Sequence, residues 1–120
     1  MAKVLVVDDS LTELHVLTQY LHKAGHQTLT ASEGQEGLET AKSEKPDLIL
    51  MDVVMPGLNG FQATRKIGRD PETRHIPVVM ITTKDQETDR EWGLQQGARM
   101  YLVKPVSEEQ LLGVIAEVLG

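Results

Sequence analysis

The chain has 120 residues, a formal charge of −6, no cysteine, and only one Trp, two Tyr and one Phe. That length suits one domain with an aliphatic core and is too short for two. The missing cysteines exclude disulfides, thiol catalysis and cysteine–zinc sites, and the acidic balance argues against a non-specific grip on nucleic-acid phosphates. No apolar run approaches the roughly 20 residues of a membrane span, and the first run meets Asp8 too soon to be a signal-peptide core. The expectation is a soluble cytoplasmic protein that binds neither nucleic acid nor membrane.

Lys3 to Asp8 is β-branched and apolar and reads as a buried strand ending in acids. Ser10 then caps a helix, with Glu13 at the spacing of a capping box. Leu14, Leu17 and Leu21 form the inner face of that helix, and Gly25 ends it. Gln27 to Ala31 alternates polar and apolar residues, as an edge strand does. Gly34 to Ser43 is a short helix with Leu38 and Ala41 inward, and Pro46 closes the following loop. Leu48 to Met51 is a continuous apolar run that enters Asp52 and is stopped by Pro56, Gly57 and Gly60, the pattern of a fully buried strand. Phe61, Thr64 and Ile67 mark a third helix, and Asp70-Pro71-Glu72-Thr73 a turn. Ile76 to Ile81 is another apolar strand, ending at Thr82-Thr83. A charged helix is predicted over Asp85 to Gln96, with Gly97 as its stop. Met100 to Val103 is a short strand that ends at Lys104-Pro105. Ser107 and Gln110 hold capping-box positions for a last helix with Leu111, Ile115 and Val118 inward.

Strand and helix thus alternate five times, which implies an α/β fold: a doubly wound parallel sheet with helices on both faces. The three continuously apolar strands belong in the centre and the polar second strand at an edge. The order 2-1-3-4-5, known from doubly wound sheets, satisfies both conditions.

In such sheets chemistry gathers beyond the carboxyl ends of the strands. Those ends carry Asp8 and Asp9, then Asp52, then Thr82 and Thr83, then Lys104. Each has an ordinary explanation: acids cap helices, Thr ends strands, Lys-Pro makes turns. It is their joint arrival at successive strand ends that points to one crevice. Three close carboxylates repel one another, and a divalent cation relieves the conflict. Mg²⁺ prefers a few carboxylates together with phosphate oxygens. Lys104 supplies a second positive charge and Thr82 a hydroxyl. His15, His22, His26 and His75 read as surface residues, so the carboxylate of Asp52 remains as the nucleophile toward phosphorus. Phosphoryl transfer to Asp52 and an Mg²⁺-dependent phosphohydrolase both use such a site. The hydrolase is disfavoured because no substrate-cap insertion or general acid is evident. Neither GxGxxG nor GxxxxGK[ST] occurs, against a nucleotide-binding domain.

With Asp8-Asp9, Asp52-x-x-Met55-Pro56-x-x-x-Gly60, Thr82 and Lys104-Pro105 in place, the chain resembles the CheY-like receiver domains of two-component response regulators along essentially its whole length. The resemblance implies a flavodoxin- or CheY-like fold, a single receiver domain over residues 1–120 without an output domain, and Asp52 as phosphoacceptor. It further implies Mg²⁺ ligation by Asp9, Asp52 and the backbone carbonyl of Val54, with Asp8 holding the ion largely through water. Lys104 pairs with the phosphoryl group, and its bond to Pro105 is expected to be cis. Thr82 and Tyr101 form a switch pair: the hydroxyl moves to the phosphoryl group and the ring turns inward. The phosphodonor is a histidine kinase, CheA-like, and the output a protein target such as a motor-associated component; no enzyme activity is implied beyond the protein's own phosphorylation and dephosphorylation. Thr82 to Asp89 with Glu91-Trp92-Gly93, and Asn59 to Arg65, resemble the PilH-type regulators of type IV pilus twitching motility.

By the same resemblance, Val54 and Lys84 flank the phosphoryl group and tune hydrolysis. An apolar Val54 cannot orient a water, which predicts slow self-hydrolysis. Trp92 offers a partner surface or packs partly on the sheet, and Gly93 lets a neighbour approach. A receiver that acts as a phosphate sink, without an output partner, is the alternative role.

Overall fold

The computed structural model describes residues 1–120. The elements are β1 (Lys3–Val7), α1 (Leu11–Lys23), β2 (Gln27–Ala31), α2 (Gly34–Glu44), β3 (Leu48–Met51), α3 (Gly60–Arg69), β4 (Val78–Thr82), α4 (Glu87–Gln95), β5 (Met100–Val103) and α5 (Glu108–Leu119). All strand pairs are parallel, in the order β2-β1-β3-β4-β5. The apolar strands β1, β3 and β4 are central because helices cover both of their faces, and the polar β2 takes an edge as expected. No helix is long and apolar enough to cross a membrane.

Side chains alternate across the sheet with a period of two and feed two cores. Val4, Val6, Leu48, Leu50, Val79 and Ile81 pack with Leu14, Leu17 and Leu21 of α1 and Leu111 and Ile115 of α5. Leu5, Val7, Ile49 and Met51 face the other way, against Ala41 of α2 and Ala63 and Ile67 of α3. A smaller cluster under α4 joins Val53, Met80, Ala98 and Tyr101, with Phe61 against it.

The element boundaries depart from expectation in a few places, each with a local cause. β4 begins at Val78 because the Ile76 N–H closes a turn onto the Thr73 carbonyl (2.9 Å) and Pro77 has no N–H for a ladder. α4 begins at Glu87, where the Asp89 carboxylate accepts from the Gln86 N–H (3.3 Å). Ser10 and Ser107 cap α1 and α5 by accepting from the N–H groups of Glu13 (3.2 Å) and Gln110 (3.0 Å), without the reciprocal bond of a capping box. The full reciprocal box stands at α3, between Asn59 and Gln62, with both bonds at 2.9 Å. The Lys104–Pro105 bond is cis, as expected.

Candidate functional site: an acidic crevice with one lysine

The site forms where the strand ladders run one residue past the strands. The Asp8 N–H donates to the Ala31 carbonyl (3.0 Å), the Asp52 N–H to Val7 (2.9 Å) and the Lys104 N–H to Thr82 (2.8 Å). Backbone pairing therefore brings Asp8, Asp52 and Lys104 to the same edge of the sheet. The loop after Asp52 is held by Gly60. A Cβ there would lie 2.0 Å from the Asp52 carbonyl oxygen and 2.7 Å from the Val53 Cα, and the Gly60 N–H donates to the Val53 carbonyl (2.9 Å). No residue with a side chain fits at that position.

One carboxylate oxygen from each of Asp8, Asp9 and Asp52 lies within 4.8 Å of the others. Asp8 is buried and its oxygens are both engaged: Oδ1 accepts from the Ser10 N–H (2.9 Å) and Oδ2 from Lys104 Nζ (2.7 Å). Asp9 is exposed and makes no hydrogen bond or ion pair within the protein. Asp52 is buried; its Oδ1 accepts from the Val53 N–H (2.8 Å) and its Oδ2 stands 3.7 Å from Lys104 Nζ. Burial, then the charge of Asp8, pushes the Asp52 carboxyl above its ordinary value, against the opposing pull of Lys104, the Val53 N–H and the Thr82 hydroxyl. Burial works against the Lys104 ammonium, yet Asp8, Asp52 and Glu13 together hold its pKa above the ordinary lysine value.

This donor set fits a hard divalent cation. It is all oxygen, it has an excess of negative charge, and the free Asp9 carboxylate borders solvent. An Asp8 already committed to two donors suits contact with an ion through water rather than directly.

The remaining expected residues fall into two groups. Thr82 is fully buried and its Oγ1 accepts from the Lys84 N–H (3.3 Å). The Tyr101 ring is buried and its hydroxyl donates to the Lys84 carbonyl (2.8 Å). The ring is thus already turned inward, and the Lys84 backbone links it to Thr82. Burial, with Asp89, Asp52 and Asp85 around it, pushes the Tyr101 phenol up to about 12. The Val54 side chain is 57% exposed and, with Val53, Met55, Asn59, Phe61 and Lys84, lines a shallow cavity of about 270 Å³. Trp92 is 48% exposed on α4. Thr83, by contrast, is exposed and makes no side-chain hydrogen bond.

The histidines stay out of the cluster. His15, His22 and His75 are exposed, His22 meets Thr28 Oγ1 (2.8 Å), and His26 Nδ1 accepts from the Ala2 N–H (3.0 Å). Glu13 is the site residue that pattern reading missed. Its Oε1 lies 3.7 Å from Lys104 Nζ, so a carboxylate expected to close a capping box faces the lysine instead. Its place four residues after Asp9, one helical turn on, is the signal that could have shown it.

A family comparison decides the identity of this arrangement: the response regulator receiver domain matches residues 4–116. The chain belongs to that family. This receiver is 60% identical over 120 residues to protein PilH of Pseudomonas aeruginosa, covering all of this chain and 99% of PilH. It is 44% identical over 110 residues to the response regulator PleD of Caulobacter vibrioides, covering 92% of this chain and 24% of PleD. Among solved structures it is similar to the chemotaxis protein CheY4 of Vibrio cholerae, with a TM-score of 0.92, 35% identity and 98% of each chain covered. It is also similar to the receiver domain of the sensor histidine kinase PA1611 of P. aeruginosa, solved with a magnesium ion coordinated in the active site cleft. That match has a TM-score of 0.92 and 29% identity, covering 99% of this chain and 98% of the other. Phosphorylation and Mg²⁺ binding at the acidic pocket are general to the family, and receivers take the phosphoryl group from histidine kinases.

Proposed function

We propose that this receiver accepts a phosphoryl group on Asp52 from a CheA-like histidine kinase and thereby switches the binding of a protein target, such as a motor-associated component. It would act as a stand-alone cytoplasmic regulator of PilH type in type IV pilus twitching or a related chemotaxis-like pathway. One observation carries the reading: a buried Asp52 whose charge is under pressure from burial and Asp8, with a single ammonium 3.7 Å from its free oxygen. The similarity to PilH along both chains supports the stand-alone role and the pathway.

In the proposed reaction Asp52 Oδ2 forms a bond to phosphorus while the bond from phosphorus to the donor's imidazole nitrogen breaks, and the electron pair leaves with the imidazole. Asp8, Asp9 and Asp52, with the Val54 backbone carbonyl, would hold Mg²⁺. The ion supplies positive charge to the phosphoryl oxygens during transfer. Lys104 turns from Asp8 toward those oxygens, and the Thr82 hydroxyl donates to one of them. The acyl phosphate is the protein's only chemical product, and its hydrolysis returns Asp52. Val54 and Lys84 flank the group; an apolar Val54 orients no water, which keeps that hydrolysis slow.

Intact-mass measurement after incubation with acetyl phosphate and Mg²⁺ tests the reading. One phosphoryl group is expected, absent without Mg²⁺ and absent in Asp52→Asn. Failure to label, repeated with a phosphorylated kinase domain as donor, removes it.

A further inference from the structure

The only buried residue of α4 is Gly93. A Cβ placed on it would lie 2.8 Å from Met80 Sδ, 2.9 Å from Tyr101 Cδ2 and 3.1 Å from Tyr101 Cε2. Two neighbours therefore occupy the space of a side chain, and they differ in how they can yield. The Met80 sulfur sits near the end of a flexible chain and can turn aside. The Tyr101 ring is rigid and tied at its far end, where its hydroxyl donates to the Lys84 carbonyl at 2.8 Å. It cannot retreat without breaking that bond.

The Lys84 backbone has two such ties. Its carbonyl holds Tyr101, and its N–H donates to Thr82 Oγ1 at 3.3 Å. Thr82 in turn faces Asp52. A continuous path of contacts runs from the backbone of α4 through one aromatic ring and the backbone of one residue, Lys84, to the crevice.

We propose that Gly93 is a positioning residue: its missing side chain admits the Tyr101 ring beneath α4, and the ring holds the Lys84 backbone and through it the Thr82 hydroxyl beside Asp52. The alternative is that the glycine is only a helix defect. Occupancy opposes that alternative: Met80 and the Tyr101 ring fill the Cβ position of Gly93, whereas a glycine that no neighbour requires has open space there. The chain carries its own control. Gly113, inside α5, has nothing within 4 Å of its Cβ position, so alanine there gains helix propensity with no clash.

The test reads the ring directly. Fluorotyrosine is incorporated in a Tyr20→Phe background, leaving Tyr101 as the one labelled ring, and its ¹⁹F resonance is followed for its solvent isotope shift. Gly93→Ala is expected to move the resonance to that of a solvent-exposed ring and to lower the Tm, while Gly113→Ala leaves the resonance in place and raises the Tm. In a Tyr101→Leu background Gly93→Ala is expected to lose most of its effect on Tm, because the clashing ring is gone. If Gly93→Ala fails to fold, the double variant decides: recovered folding supports the proposal, and continued failure overturns it. An unmoved resonance with a raised Tm in Gly93→Ala overturns it as well.

The last link, to Thr82, rests on Asp52 being the phosphoacceptor. There Gly93→Ala is expected to slow phosphoryl gain from acetyl phosphate by about threefold or more. A displaced ring with an unchanged rate removes that link, whereas a wild-type protein that never labels counts against the phosphoacceptor reading and leaves the ring's placement to the resonance.

Discussion

Two lysine–aspartate pairs of nearly equal length stand in different surroundings. Lys42 of α2 meets Asp70 after α3 at 3.0 Å, and Lys104 meets Asp8 at 2.7 Å. The first pair is open to water, with side chains 51% and 24% exposed, while the second has 11% and 3%. The open pair is also complete. The Glu72 N–H, then Lys42, holds the Asp70 carboxyl below its ordinary value, and Asp70 in turn raises Lys42. It lines a cleft of about 500 Å³ between α2 and α3 with Lys66 and Arg69, basic residues in the last turn of a helix, where they offset the helix dipole.

The buried pair is not complete. Lys104 is shared among Asp8, Asp52 and Glu13, and Asp9 brings a fourth carboxylate to the crevice. Asp52 shows the deficit as a carboxyl pushed upward, the opposite of Asp70. Burial that removes water's screening, with anions outnumbering cations, therefore leaves the second pair under a charge pressure that the first does not have. What is missing is positive charge, which a divalent ion provides.

The largest expected effect comes from deepening that deficit. Lys104→Met leaves Asp8 and Asp52 buried without their cation, a change that costs about 3–5 kcal/mol when one partner of a buried pair is removed. It should also slow phosphorylation by about 100-fold or more, as loss of a charge-stabilising donor does. Urea unfolding and labelling kinetics measure the two; a stability loss within 0.5 kcal/mol, about what a surface substitution costs, would mean that Lys104 is far less buried in solution.

Relieving the deficit should act the other way. Asp52→Asn is expected to stabilise the metal-free protein by about 1 kcal/mol at neutral pH, as replacing a strained functional residue commonly does. The sign follows from the upward shift of Asp52. The folded state binds that proton more tightly than the unfolded state, so stability contributed by Asp52 is greatest below pH 3.8 and falls as pH rises through the raised folded value. The gain from Asn should therefore appear at pH 7 and vanish at pH 3. A gain of equal size at both would tie it to packing instead of charge.

The smallest effects set the two pairs side by side. Glu13→Gln frees Lys104 from one competing anion and should raise the rate of labelling by acetyl phosphate, at saturating Mg²⁺, about threefold, the scale of a partly exposed ion pair. Asp70→Asn should leave that rate unchanged and lower the Tm slightly, since the Glu72 N–H and Lys42 favour the charged carboxylate. Equal responses in the two variants would mean that overall charge, and not position, governs the reaction.

Much of the fold is legible from pattern because the pattern has a direct physical cause. A strand covered on both faces must be apolar at every position, as Leu48 to Met51 is, and an edge strand need not be, as Gln27 to Ala31 shows. Asp8, Asp52, Thr82 and Lys104 are legible as candidate site residues because chemistry in such sheets lies at the strand ends. The same logic points to Thr83, yet it is exposed beside a Thr82 that is fully buried. Ser10 and Glu13 have the spacing of a capping box, but a box competes with any cation within reach of the carboxylate, and Lys104 lies 91 positions away in the chain, the difference between 104 and 13.

Sequence alone determined the alternation of elements, the central and edge strands, and the residue types delivered to the carboxyl edge, because burial and hydrogen bonding act on each short segment through its own composition. Tertiary structure decided how those groups share charge. It turned Glu13 to Lys104, committed both oxygens of Asp8 while leaving Asp9 free, and seated the Tyr101 ring against Gly93. Electrostatic pressure and steric room depend on distances between segments far apart in the chain, and those distances exist only once the sheet has formed.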